Sequence, residues 1–384
     1  MSLPSNRLFY IDAMRTFAIL MMLQGHFIYE TLDISYRLDS SMAYTTWKYF
    51  RGITAPLFFT VSGFIFTYLL IRNPLRGWQN PRVKKGIRRA LYIIFWGYLL
   101  RLNIWMLFSG KINSAFWMID VLHCIGLSII GIVGLYLLFS KLNVKWFPYA
   151  MALIGICIFL LHPFYDKATV DFLPKFLANY FTNVYGSSFT IIPWFGYAAI
   201  GGSLGWVFYK YKDYKNLLTW APVVFLPTGL LLIFLSSPFF LWAGEMFNLN
   251  LLQRIAANNY LFIRLGDVFI FFTVFISLRS FFTGSIVQRL GARTLTIYIF
   301  HFALLYGSWL GLGINMQFKN ALSPVEAILG AFIFLLVNCV FAYYFDKEKL
   351  YGIIRNTIGY QAVFVKLPKV LMTKIKWVGV RQTN

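Results

Sequence analysis

Apolar residues along this chain gather into long runs rather than the short alternations of a half-buried strand. Ten runs stand out, with approximate limits 9–29, 53–71, 89–109, 119–139, 146–162, 189–209, 217–236, 262–282, 295–315 and 324–345. A hydrocarbon layer of about 30 Å takes about 20 residues of helix to cross. Each run therefore predicts a membrane-spanning helix, and the expected fold class is an all-α integral membrane protein. The runs fill a single membrane domain over 1–345, and a basic tail follows over 346–384. The first run has a short leader, carries Asp12 and Arg15 and lacks a small-residue cleavage site. It is expected to remain as the first helix rather than be cut as a signal peptide.

Composition agrees with this pattern. Of 384 residues, 59% are hydrophobic and 12% charged, about half the charge content of an ordinary soluble domain, which excludes a water-soluble globule. The aromatic share of 20% leaves room for aromatic belts at both interfaces. Lys and Arg number 35 against 13 Asp and Glu, a net charge of +22. In a soluble chain that excess would suggest nucleic acid; between membrane helices it reports orientation. The segment 72–89 holds seven Lys and Arg and no acid. Taking alternate connections from there gathers 24 basic residues on one side and leaves eight on the other, mixed with acids. Ten helices with both termini on the cytoplasmic side of the cell (inner) membrane are expected. The tail has amphipathic stretches and is read either as lying on anionic lipid or as a disordered basic segment. The three cysteines lie inside apolar runs and are expected to pack. No zinc-type spacing or P-loop occurs, so neither a bound metal nor a nucleotide-driven motor is expected.

An ionisable group inside such a run is costly unless paired or wetted, which makes each a functional candidate. They are Asp12, Arg15, His26, Arg101, Asp120, His123, Arg264 with Asp267, and His301. Arg15 and His26 are eleven residues apart, within about 20° of three whole turns, so with Asp12 they share a stripe. Along the axis they are separated by about 16 Å. The stripe calls for a polar or wet neighbour across much of the membrane; alternatively Asp12 and Arg15 pair at the interface and His26 is a satisfied core histidine. Arg51 precedes the second run, while Ser62 and Gly63 let another helix approach.

The start of the third helix, "RVKKGIRRALYI", places Lys84, Lys85, Arg88 and Arg89 at a helix N-terminus. Unpaired N–H groups, the helix dipole and guanidinium forks together suit phosphate, although positive charge alone would serve topology. Asp120 and His123 stand one turn apart, which suits a general base or proton relay and equally a buried structural pair. His301 lies about four residues to the cytoplasmic side of the centre of the ninth run, where it could border a polar aperture or simply pack.

These residues resemble a known superfamily. The opening "IDAMR", the Arg15-x10-His26 spacing, "APLFFTVSGFIFTYLL" and a basic stretch ending "IRRALYI" resemble the transmembrane acyltransferases. That superfamily contains the acyltransferase-3 enzymes, which O-acetylate bacterial surface glycans, and the heparan-α-glucosaminide N-acetyltransferase-like proteins. The segments "DVLHCIGLSII", "IIPWFGYAAIGGSLGW" and "LGARTLTIYIFHFALLYG" look more like the second branch. The resemblance implies transfer of an acyl group, usually acetyl, from cytosolic acetyl-CoA to an acceptor on the far side, such as a sugar or glycan.

By position it implies His26 as catalytic histidine and Arg15 as its partner toward the donor. Arg88, with Lys85 three residues earlier in place of the usual arginine, would match the motif contacting coenzyme A phosphates. Asp120 and His123 could serve the acceptor and His301 the donor. A pantetheine arm of some 15–20 Å is about long enough to bring a thioester from the inner face to His26. The animal lysosomal enzymes are expected to place their essential histidine between the first two helices, where this chain has Tyr49, Phe50 and Arg51, so a heparan substrate does not follow. The competing reading is a secondary transporter or permease for a small molecule or glycan precursor; no symmetric pair of Gly/Pro-broken helices supports it. The sequence is compatible with a homo-oligomer.

Overall fold

The structure of the chain is a computed structural model, and it describes residues 8–345. Among these residues it is helical without a strand, and one isolated bridge joins Leu32 to Leu322. The apolar runs correspond to α1 (Phe9–Thr31), α2 (Met42–Ile71), α3 (Pro81–Arg101), α4 (Val121–Lys141), α5 (Phe147–Leu160), α6 (Ile191–Lys210), α7 (Leu217–Met246), α8 (Tyr260–Ser277), α9 (Thr294–Tyr306) and α10 (Pro324–Tyr344). Short helical turns connect them. The basic tail expected over 346–384 lies outside the described residues.

Among the described residues six helices are long and apolar enough to cross a membrane: α2, α4 with the turn before it, α6, α7, α8 and α10. The apolar helices α5 and α9 are shorter. Helices α1 and α3 have 23 and 21 residues, but their polar residues lie within the span. On α1 these are Asp12, Arg15, Gln24, His26 and Glu30; on α3 they are the basic residues from Arg82 to Arg89. The two helices least like lipid-facing spans are thus the two richest in candidate chemistry.

Several boundaries differ from the runs, each for a local reason. Ser41 accepts from the Tyr44 N–H and starts α2 at Met42, so Arg51 lies inside the helix rather than before it, and Pro56 lies several turns in. Asn80 accepts from the Arg82 N–H and Pro81 occupies the first helical position, which makes the basic stretch part of α3. The third run breaks at Leu102–Asn103, and a short helix Ile104–Phe108 follows. The ninth run ends at Tyr306, where Gly307 at φ 74° terminates α9. His301 therefore sits near the middle of a 13-residue helix, not to the cytoplasmic side of a longer one. Asp120 is the N-cap of α4 rather than a residue within it.

Helices α2 and α6 hold the bundle together by backbone contact. A Cβ at Gly63 would fall 1.9 Å from the Ala198 carbonyl oxygen, one at Gly201 1.9 Å from that of Thr60, and one at Gly205 2.2 Å from that of Phe64. Small residues spaced four apart let two helices approach this closely in lipid, where dispersion rather than water exclusion drives association. The reading of Gly63 as a packing residue agrees with this. Ser62, one residue earlier, faces a cavity instead. Helix α3 rests on α4 in the same manner, with Gly126 against the Ala90 carbonyl and Gly97 against the His123 ring.

Replacing Gly201 by Ala is expected to lower the unfolding free energy in detergent by about 1–3 kcal/mol through overpacking. Gly134→Ala, at an exposed helical position whose Cβ would meet nothing within 4 Å, should be neutral or stabilising by up to about 1 kcal/mol. Thermal unfolding of the two variants side by side checks the difference.

Candidate active site

A cavity of about 950 Å³ lies among α1, α2, α3, α4 and α9. Its lining on α3 extends from Arg82 to Arg101, nineteen residues or about 28 Å of helix, close to the thickness of the hydrocarbon layer. On α1 the lining residues include Arg15, Met22, His26 and Glu30, one stripe at helical spacing. Arg15 and His26 thus share one wet wall, as their register suggests, while Asp12 turns toward Arg15 at 3.9 Å. Arg15 also donates to Thr294 Oγ1 at 3.1 Å, which ties the lower part of α1 to the first residue of α9.

The basic stretch divides between two faces. Arg82, Lys85, Gly86, Arg89 and Ile93 line the cavity, all within about 60° of one direction on the helix. Lys84 and Arg88 lie on the opposite side of α3 and are exposed, outside the cavity lining. Helical periodicity, visible only once Pro81 is known to begin the helix, separates residues that adjoin in sequence.

Asp120 lines the cavity, but its oxygens are committed. Oδ1 accepts from the Leu122 N–H at 2.9 Å and lies 2.9 Å from His123 Nδ1, and Oδ2 meets Arg101 Nε at 3.3 Å. His123 is fully buried, closes a capping box with Asp120, and lies over Gly97 and against Tyr98. It does not line the cavity.

His26 faces the cavity, and its Nδ1 lies 3.3 Å from Nε2 of His301, which is fully buried behind it. His301 is absent from the cavity wall, where its neighbours Tyr298 and Phe302 appear instead. Arg51 also lines the cavity, beside α1 next to His26. Its side chain lies against Gly25, where an added Cβ would be 3.2 Å from Cγ, and its guanidinium covers the Tyr29 ring at 4.2 Å. Arg51 makes no hydrogen bond within the described residues, so its donors remain available to the cavity. Gln24 accepts from the Trp47 indole N–H at 2.9 Å and fixes α1 to α2 one turn away.

Sequence reasoning underrated Arg51 because it placed the residue outside the helix; the serine pair Ser40–Ser41 was the signal for an earlier start. It also missed Arg82, Thr294 and the pairing of Tyr306 with Glu30, 3.3 Å apart. These meet only through tertiary packing.

A family model, heparan-alpha-glucosaminide N-acetyltransferase, catalytic, matches residues 7–239, more than half of the chain. The chain belongs to this family. No curated protein matches it. The family match spans α1 to α6 and part of α7, including Arg15, His26, the basic face of α3 and Asp120, and ends before α9 and His301. Membership of a membrane acetyltransferase family accounts for a helical chain with several membrane-length helices and a polar cavity among them.

The Arg101–Asp120 pair is mostly buried, with side-chain exposures of 13% and 5%. Arg101→Met should strand a carboxylate and cost about 3 kcal/mol. Combined with Asp120→Asn it should cost clearly less than the two single changes added, as a double-mutant cycle on unfolding in detergent would show.

Proposed function

We propose that this chain is an integral-membrane acetyltransferase that takes an acetyl group from cytosolic acetyl-CoA and delivers it to a hydroxyl or amino group of an acceptor, a sugar or glycan, on the far side of the cell membrane. The reading includes ten membrane-crossing helices in a domain over 1–345, with both termini and the basic tail cytoplasmic. One observation carries it: a single cavity about as long as the membrane is thick, with guanidinium and ammonium groups of α3 at one end and His26 on its wall.

Acetyl-CoA supplies an activated thioester. Arg82, Lys85 and Arg89, on the first turns of α3, hold phosphate groups in cytoplasmic water, helped by the positive end of the helix. His26 is about 16 Å further along the α1 axis than Arg15. There it accepts the proton that the acceptor loses as it attacks the thioester carbon, and the proton leaves with the departing thiol. Arg51, with free donors beside Gly25, stabilises the negative charge that develops on the carbonyl oxygen. Asp120 and Arg101 brace the outer half of the wall.

The test uses purified protein in detergent with radiolabelled acetyl-CoA and glucosamine as the first acceptor, followed by neutral sugars. Wild type should release free coenzyme A and label the acceptor, and His26→Ala should reduce turnover by about 10² to 10⁴. Lys85→Gln with Arg89→Gln should weaken acetyl-CoA binding by about tenfold or more, whereas Lys84→Gln with Arg88→Gln should leave it near wild type. Absence of acetyl-CoA binding and thiol release from folded wild type, with movement of a solute across vesicles instead, would replace this reading with the transporter.

A further inference from the structure

Two imidazoles meet between α1 and α9. His26 Nδ1 lies 3.3 Å from His301 Nε2. Two neutral rings can share that contact in only two ways. If His301 donates, His26 keeps its proton on Nε2; if His26 donates, its Nε2 is left with an open lone pair.

The far side of His301 decides between them. That ring is fully buried, and its Nδ1 has no hydrogen-bond partner among the described residues. The backbone carbonyls of Ile297 and Tyr298, one turn earlier in α9, interact with this ring. A histidine in a helix commonly leans over this preceding turn. Carbonyl oxygens only accept, so a bare nitrogen lone pair aimed at them is repelled and an N–H is attracted. The proton of His301 therefore belongs on Nδ1, and its Nε2 must be the acceptor. It follows that His26 donates from Nδ1. Its Nε2 makes no hydrogen bond and is not buried, on a side chain that lines the cavity.

We propose that His301 is a positioning residue that sets the tautomer of His26: the carbonyls of α9 hold a proton on His301, which holds one on Nδ1 of His26, leaving Nε2 of His26 as an open base toward the cavity. The use of that base rests on the acetyltransferase reading, but the tautomer does not. When His26 takes up a proton, the lone pair of His301 also stabilises the resulting imidazolium. A second ring nitrogen held by a fixed acceptor is the usual means by which a histidine is oriented. His301 would thereby serve the reaction without touching either substrate.

The chain has four histidines, so protein labelled with ¹⁵N at histidine gives a small set of ring signals in solid-state spectra of proteoliposomes. The His26 signals are those missing from a His26→Gln sample. Neutral wild type should show Nδ1 of His26 as the protonated nitrogen and Nε2 as the bare one. In His301→Leu, an Nδ1–H would face an apolar side chain, so His26 should move to the Nε2–H form, the one a free imidazole prefers. Turnover of acetyl-CoA with glucosamine should fall roughly 10- to 100-fold, the penalty of an unsatisfied buried donor, with KM for acetyl-CoA little changed.

His301→Gln should restore the Nδ1–H form and most of the rate, because its amide N–H₂ can face the carbonyls while its oxygen accepts from His26. A His26 protonated on Nε2 in wild type overturns the proposal, as does an unchanged tautomer in folded His301→Leu. Should His301→Leu fail to fold, wild type and His301→Gln still decide the matter, since Nε2 protonation in either contradicts the chain of donors. A protein with the expected tautomer and no turnover would instead count against the acetyltransferase reading alone.

Discussion

An ionisable side chain at membrane depth must be paired or wetted, and the arrangement of this bundle follows from how it meets that demand. Some groups are paired: Arg264 with Asp267 at 2.8 Å, and Arg101 with Asp120 at 3.3 Å. Arg15 is held by Asp12 at 3.9 Å and by Thr294, and it lines one cavity together with Arg101, Asp120, His26, Arg51 and the inner face of α3. The pairs are braces between helices. Tyr49 donates to Asp267 at 2.7 Å while its ring carries the Arg264 guanidinium, so α2 and α8 are locked at the level of Arg51. The cavity also presents cations that make no ion pair among the described residues, Arg51 and the inner face of α3.

Helix α2 separates the two regimes. One side presents Thr60, Gly63 and Phe64 to the glycines of α6, and another presents Ala55, Phe58 and Ser62 to the cavity. Pro56 contributes through what it lacks. Without an N–H it leaves the Gly52 carbonyl unclaimed within the helix, and Tyr260 of α8 reaches that oxygen at 3.4 Å. Gly52 itself leaves room for the Arg264 guanidinium, which an added Cβ would meet at 2.7 Å. A proline that would ordinarily weaken a helix thus helps attach it to its neighbour, one turn from the cation that lines the site.

Much of this was legible in the sequence because lipid imposes long apolar runs, and few charged residues interrupt them. Arg15 and His26 could be placed on one stripe from their spacing alone, and Gly63 could be read as letting another helix approach. Other features depended on a helix start. With Arg51 placed before the second run, its position on the cavity-facing side of α2 was missed; Ser41, which caps α2, decides that register. Still others could not be read at all. Asp120 and His123 have the spacing of a catalytic relay, but Gly97, on a different helix, provides the recess into which the imidazole packs. The contact between His26 and His301 joins residues 275 apart in the chain.

That long-range contact shows how the wall of the cavity around His26 is assembled. His26 meets His301 of α9, and Arg51 of α2 lies against the neighbouring Gly25, whose missing side chain leaves room for the arginine. Helix α9 is in turn tied to α1 a second time, three turns away, by the bond from Arg15 to Thr294. Two attachments along one helix pair fix its axial register, and an imidazole contact of 3.3 Å requires that register to hold within a fraction of a helical turn. The ion at the foot of the stripe and the histidine near its top therefore form one mechanical unit, which gives their eleven-residue spacing a structural reason in addition to a chemical one.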